Sequence, residues 1–246
     1  MSKSKVFMGF VLICYMLFII FEFSGYVDIA FYLHSLIVPS VTLIYLFFVN
    51  KKNKMFLLFL VLYSLSELLG LLTSNLPHDE SQSLYDFEYY FCNLLYLLSY
   101  LCLIIKISKS INPNHVIRHF KIHIVVLIAL SIYLVYVLQG IIGDGLMYKS
   151  DYYFELIYNI ILVLLLPVSL LNYLYRDNRK ALYLFLGSLF IVFSEVMVVA
   201  HIYVKEMSIL NFLSTTFTLI AFYFYYQQSK FKNIGNQHKH FKVIEN

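Results

Sequence analysis

Two glutamates, Glu67 and Glu195, stand inside stretches of chain that are otherwise apolar, FLLFLVLYSLSELLGLL and LYLFLGSLFIVFSEVMVVA, and each follows a serine, Ser66 or Ser194. An ionisable side chain at the centre of a membrane-spanning helix costs about 2.5–3.5 kcal/mol on insertion scales, so its default reading is functional, with a partner or a wet cavity nearby. The two glutamates lie 128 residues apart. Sliding the chain on itself by that offset, without a gap, also superposes Pro39 on Pro167, Tyr45 on Tyr173, Asn50 on Asn178, Lys51 on Arg179 and Lys52 on Lys180. Two carboxyls sharing one poorly solvated pocket disfavour double ionisation. A protonated acid and an ionised base would then stand side by side, the pairing that general acid–base chemistry requires.

Other polar residues fall at the same depth. Counted from the outer ends of their helices at about 1.5 Å per residue, Glu67, Glu195, His34, Tyr158, Asn93 and Thr215 all reach roughly 9–12 Å. They also fall into stripes: Ser64, Glu67 and Ser74; Ser188 and Glu195; Asn93, Tyr96 and Tyr100; Asn211, Ser214, Thr215 and Thr218. Such stripes should face protein or water rather than lipid. Glu67 and Glu195 are therefore the catalytic candidates, with His34 and Tyr158 orienting them. Asn93, Tyr100, Ser64, Ser194, Thr215 and Thr218 are candidates for holding a substrate. The plainer role of intramembrane Ser, Thr and Asn is hydrogen bonding between helices.

The elements that must position these groups are membrane-spanning helices. Apolar residues make up 61% of the 246 and charged residues 13%, and the mean hydropathy is +0.77, which excludes a soluble globular class. Runs long enough to cross a core about 30 Å thick fall at 6–23, 28–49, 55–73, 87–107, 122–143, 152–175, 181–203 and 208–227. The expected fold is all-α, an eight-span polytopic protein. With the N-terminus inside, sixteen of the eighteen Lys and Arg residues fall on the cytoplasmic side; only Lys149 and Lys205 fall outside. Asp28, Asp79, Glu80, Asp86, Glu88, Asp144, Asp151 and Glu206 lie in or beside the outer loops. Both termini are thus expected in the cytoplasm, and the 74–86 loop outside. Glu22 and Glu155 lie within a turn of an outer helix end, where water is expected to reach them.

The formal +4 is then a basic inner skirt facing anionic headgroups, not a nucleic-acid surface. The first apolar run is read as a retained span, since it lacks a small-residue cleavage site. Cys14, Cys92 and Cys102 all lie within spans and suggest packing rather than a disulfide or zinc site. His115, His119 and His123 recur at i, i+4, i+8, but no carboxylate or cysteine accompanies them and Arg118 and Lys121 would repel a cation. No metal and no cofactor are expected. Tyr and Phe number 23 each, many near span ends, as an interfacial belt requires.

The chain reads as a single transmembrane domain over 1–246. Its halves, about 1–110 and 111–228, each have four spans and so share one orientation, which makes a parallel four-plus-four repeat. Residues 229–246 form a cytoplasmic tail. Asn112-Pro113-Asn114 and Pro77-His78-Asp79-Glu80 mark connectors.

The stretch Tyr32-Leu-His34-Ser35-Leu-Ile-Val-Pro39-Ser resembles the "YLKPLLIPS" type of segment of the YhhN-like membrane proteins, the lysoplasmalogenase family. Leu62-Tyr-Ser64-Leu-Ser66-Glu67 is similar to that family's "FSxxGD", and Gly187-Ser-Leu-Phe-Ile-Val-Phe-Ser194-Glu195 to its "GALLFxxSD"; Tyr158 falls where its sixth-helix tyrosine occurs. Both family aspartates are glutamates here, its Lys-Pro pair is His34-Ser35, its fourth-helix histidine is replaced by Tyr100, and its "TYYxAQ" is reduced to Thr216-Phe217-Thr218. The resemblance implies an eight-span hydrolase that cleaves the vinyl ether bond of lysoplasmalogens, with a lysophospholipid as substrate, membrane lipids around it and its oligomeric state open. Two other functions fit the residues: a proton-coupled carrier with carboxylates between its halves, and a noncatalytic sensor or scaffold.

Overall fold

The computed structural model describes residues 3–50, 52–73, 88–143 and 149–231. The 74–86 loop with Pro77 to Glu80, Ser74, Lys51, Asp144 and the tail from 232 onward, with His238 and His240, lie outside the described residues. In chain order the elements are α1 (Lys3–Phe23), α2 (Val27–Ser35), α3 (Ile37–Phe48), α4 (Lys54–Thr73), a π-helical turn Glu88–Cys92 running into α5 (Asn93–Ser108), α6 (Pro113–His119), α7 (Lys121–Gly143), α8 (Lys149–Arg176), α9 (Arg179–Val199) with a π-helical turn Ala200–Val204, and α10 (Ser208–Lys230). Among the described residues eight helical stretches are long and apolar enough to cross a membrane, and they match the expected spans to within a few residues. The protein is an all-α, multi-pass membrane protein. Helices suit this setting because they satisfy every backbone polar group within one segment.

The second span is interrupted. α2 stops at Ser35, Leu36 forms the joint, and α3 starts at Ile37. Pro39 explains the break, because its ring clashes with the carbonyl four residues back, that of Ser35, and it has no N–H to offer it. Its repeat partner, Pro167, sits inside the unbroken α8.

Packing recurs between the halves. α4 packs on α5 as α9 packs on α10, α3 packs on α4 as α8 packs on α9, and α5 meets α8 as α10 meets α3. The serines that precede the two glutamates behave alike: Ser66 Oγ donates to the Cys92 carbonyl at 2.7 Å and Ser194 Oγ to the Ser214 carbonyl at 2.8 Å, each on the next span. Both matched helices begin at an asparagine cap. Asn178 accepts from the Ala181 N–H at 2.9 Å, whereas in the first half Asn53 rather than Asn50 caps, accepting from the Phe56 N–H at 3.0 Å.

α9 and α10 pack tightly at Gly187. A Cβ there would lie 2.5 Å from the ring of the fully buried Tyr225. α7 is peripheral: it packs mainly on α8 and leaves Ile122, Val125, Ile132 and Tyr136 exposed, as a lipid-facing helix should. The histidine series does not lie on one helix, because the chain breaks at Phe120 between α6 and α7. His115 and His119 stack with ring centroids 4.0 Å apart. Among the described residues no group of His, Cys, Asp and Glu is arranged to hold a metal ion.

Candidate functional site: two carboxyls in a tyrosine cage

Glu195 projects from α9 and accepts two phenolic hydrogen bonds. Tyr100, on α5, donates to Oε1 at 2.5 Å, and Tyr158, on α8, donates to Oε2 at 3.1 Å. Tyr100 is fully buried and Tyr158 nearly so. Glu67, on α4, is buried as well. Tyr96 of α5 and Ser35, at the break in the second span, are its polar neighbours. Ser35 is completely buried, yet its Oγ closes no hydrogen bond among the described residues. The joint in the second span thus places the Ser35 hydroxyl beside the Glu67 carboxyl.

The two carboxyls lie within electrostatic range of each other. Tyr63, also on α4, is within range of both, as is Tyr96. The Tyr63 ring packs edge-on against Tyr96 at 4.8 Å, Tyr100 at 6.1 Å and Phe222 at 5.0 Å, and Tyr100 packs against Tyr158 at 6.1 Å. Four tyrosines from α4, α5 and α8 therefore surround the pair. Phenols suit this position because the ring fills apolar space while the hydroxyl supplies a donor to a group that would otherwise be stranded. Tyr96 and Tyr100 are one turn apart on one face of α5, so this helix serves Glu67 with one residue and Glu195 with the next.

Tyr63 escaped the sequence reading. Its one signal is a position four residues before Glu67, on the same face, and that signal is diluted among 23 tyrosines.

Other candidates have different partners. His34 is expected to orient the carboxyls, but its electrostatic partner is Glu22 of α1, and its ring lies 6.1 Å from Phe18. Glu22 itself corrects the expectation of a water-exposed position: it is 3% exposed and accepts a 2.8 Å hydrogen bond from Asn211 Nδ2 of α10. Glu22, His34 and Asn211 make a second polar cluster between α1, α2 and α10. Glu155 accepts from Tyr89 at 2.6 Å near the N-terminal end of α8.

Most of the candidate substrate-binding hydroxyls are engaged with protein. Ser64 Oγ pairs with Thr42 Oγ1 at 2.7 Å, Ser194 Oγ with Thr218 Oγ1 at 2.6 Å, and Thr215 Oγ1 donates to the Asn211 carbonyl at 2.9 Å. These bonds join α3 to α4 and α9 to α10, or stay within α10, which is the plainer role of such residues in a membrane. Asn93, the first residue of α5, is partly buried, and no hydrogen bond among the described residues joins it to either carboxyl. Tyr100 is the one member of that group that touches a glutamate.

A buried carboxyl beside a second carboxyl, ringed by hydroxyl donors, can carry and deliver protons. No family model matches the chain, and no curated protein or solved structure matches it either.

Proposed function

We propose that this protein is a divergent lysoplasmalogenase-type hydrolase of the YhhN-like family, lying in the cell membrane with both termini in the cytoplasm. The observation that carries the reading is the seat of Glu195, held by Tyr100 and Tyr158 with Glu67 in electrostatic range. Hydrolysis of a vinyl ether needs an acid and a base on one substrate. In this reading Glu67 gives its proton to the vinyl carbon remote from oxygen, and the adjacent carbon becomes an oxocarbenium. Glu195, already oriented by two phenols, takes a proton from water as the water oxygen bonds to that cation. Glu195 then gives that proton to the glycerol oxygen as the hemiacetal's other C–O bond breaks, the hemiacetal hydroxyl passes its own proton to Glu67, and both carboxyls return to their starting states as a fatty aldehyde and a glycerophospho-base leave. The test is product analysis: detergent-purified protein given a lysoplasmalogen should release aldehyde, and absence of aldehyde at any substrate concentration overturns the reading.

One observation favours a second reading, a proton-coupled carrier. The proton transfers of the hydrolase do not use Glu22, which is buried like Glu67 and has a histidine beside it. A carrier would move protons into sealed vesicles under a solute gradient, and Glu22→Gln would stop that flux. A hydrolase would release aldehyde in Glu22→Gln as in the parent.

A further inference from the structure

An apolar groove of about 310 Å³ opens between α1, α3 and α10, lined chiefly by Met8 and Val11, by Val41 and Ile44, and by Leu219 and Phe222 of α10. We infer that this groove receives the single hydrocarbon chain of a lysophospholipid whose reactive bond meets Glu67 and Glu195. The inference rests on the hydrolase reading above.

Three features of the fold point to that occupant. The first is proximity to the carboxyl pair. Phe222 lines the groove, and its ring packs 5.0 Å from that of Tyr63, which lies in range of both carboxyls. The second is depth. The carboxyls lie roughly 9–12 Å from the outer helix ends, whereas Leu219 is eleven residues into α10, about 16 Å deep at the helical rise. A lipid with its headgroup at the outer surface and its ether bond at the carboxyls would therefore run its chain towards the groove.

The third feature is the grading of the seam between α1 and α10. Above the groove Tyr15 and Thr216 share a 2.7 Å hydrogen bond. Below that bond the same face of α1 continues as Leu12, Val11 and Met8, all apolar. The groove ends at Tyr226, over whose ring Lys230 Nζ sits at 4.1 Å, a cation at the inner surface. The seam is polar above and apolar below, like the amphiphile it would hold. Its volume is at the lower end of ligand pockets, which suits one chain rather than two.

The test uses a non-hydrolysable alkyl-ether lysophosphatidylcholine with a photoactivatable diazirine near the chain terminus, added to the full-length protein in detergent. Crosslinks should concentrate on groove residues of α1, α3 and α10, and Leu219→Phe or Val41→Phe should remove them. Both variants should also lower kcat/KM for long-chain relative to short-chain lysoplasmalogen by about tenfold or more, the discrimination that a methylene or two commands in an apolar pocket. Leu219→Met, which conserves volume, should keep the parent's chain-length profile, and a parent-like size-exclusion profile and melting temperature of Leu219→Phe shows that its loss is not misfolding. Crosslinks spread over the lipid-exposed faces, α7 included, overturn the inference. So does an unchanged chain-length profile in both Phe variants. Crosslinks in the groove without aldehyde release keep the groove and defeat the hydrolase, so the two failures are distinguishable.

Discussion

The hydroxyl of Tyr100 donates a 2.5 Å hydrogen bond to Oε1 of Glu195, so a side chain from the first half of the repeat completes the carboxyl of the second. One turn earlier on the same helix, Tyr96 is a neighbour of Glu67. α5 is thereby the shared wall of both carboxyl sites, and it offers a way to perturb them one at a time.

Tyr100→Phe removes the shorter of the two phenolic bonds to Glu195 while leaving the buried ring in place. A hydrogen bond to a charged group contributes about 1.5–3 kcal/mol, which corresponds to a fall in aldehyde release of roughly 10–100-fold. Tyr158→Phe, which removes the 3.1 Å bond, should cost less. Steady-state aldehyde assays on both variants decide the matter. Parent-like rates in both would show that the phenols do not serve the reaction.

Glu67→Gln and Glu195→Gln keep side-chain shape and hydrogen-bonding capacity while removing ionisation. Each should leave a folded protein, by size-exclusion profile and melting temperature, and should lower turnover by about 10²–10⁴-fold. Glu67→Asp and Glu195→Asp retract the carboxyl by one methylene. In a pocket fitted to Glu, with Tyr100 and Tyr158 at bonding distance from the longer side chain, Asp should lower activity. A rise with Asp would show that the pocket is still shaped for the shorter acid.

Gly187→Ala should destabilise the protein without touching the carboxyls. The new methyl would collide with the Tyr225 ring at 2.5 Å, and that ring is fully buried, between α9 and α10. Overpacking of this kind costs about 1–3 kcal/mol. Thermal unfolding in detergent should show a lowered midpoint; no change would mean that the two helices can separate freely at this point.

Reporter fusions at Glu80 and after the C-terminal Asn246 should score on opposite sides of the membrane, with the C-terminal fusion cytoplasmic. The expectation comes from the Lys and Arg distribution. Two fusions on the same side would remove the eight-span topology.

The sequence by itself determined the spans, the two intramembrane glutamates and the offset that relates them. Hydrophobic length is a one-dimensional property: a run of apolar residues crosses the membrane whatever its neighbours do, and a carboxyl within such a run is buried wherever the helix packs. The serines before Glu67 and Glu195 were legible for the same reason, since identical local sequence on matched helices makes the same bond to the next span.

Which polar groups meet was decided only by tertiary structure. Depth along a helix can be counted, but rotation about its axis is set by packing against distant parts of the chain, and helices that are apolar nearly all round carry little sequence record of it. Hence His34, at the right depth, lies in electrostatic range of Glu22 instead, and Ser64, Ser194 and Thr218 spend their hydroxyls on one another's helices or on Thr42. Tyr63, one tyrosine among 23, becomes the ring between two carboxyls because α4 turns it towards α5 and α10. The break at Leu36 likewise depended on context, since the second span is interrupted ahead of Pro39 whereas α8 runs unbroken through Pro167.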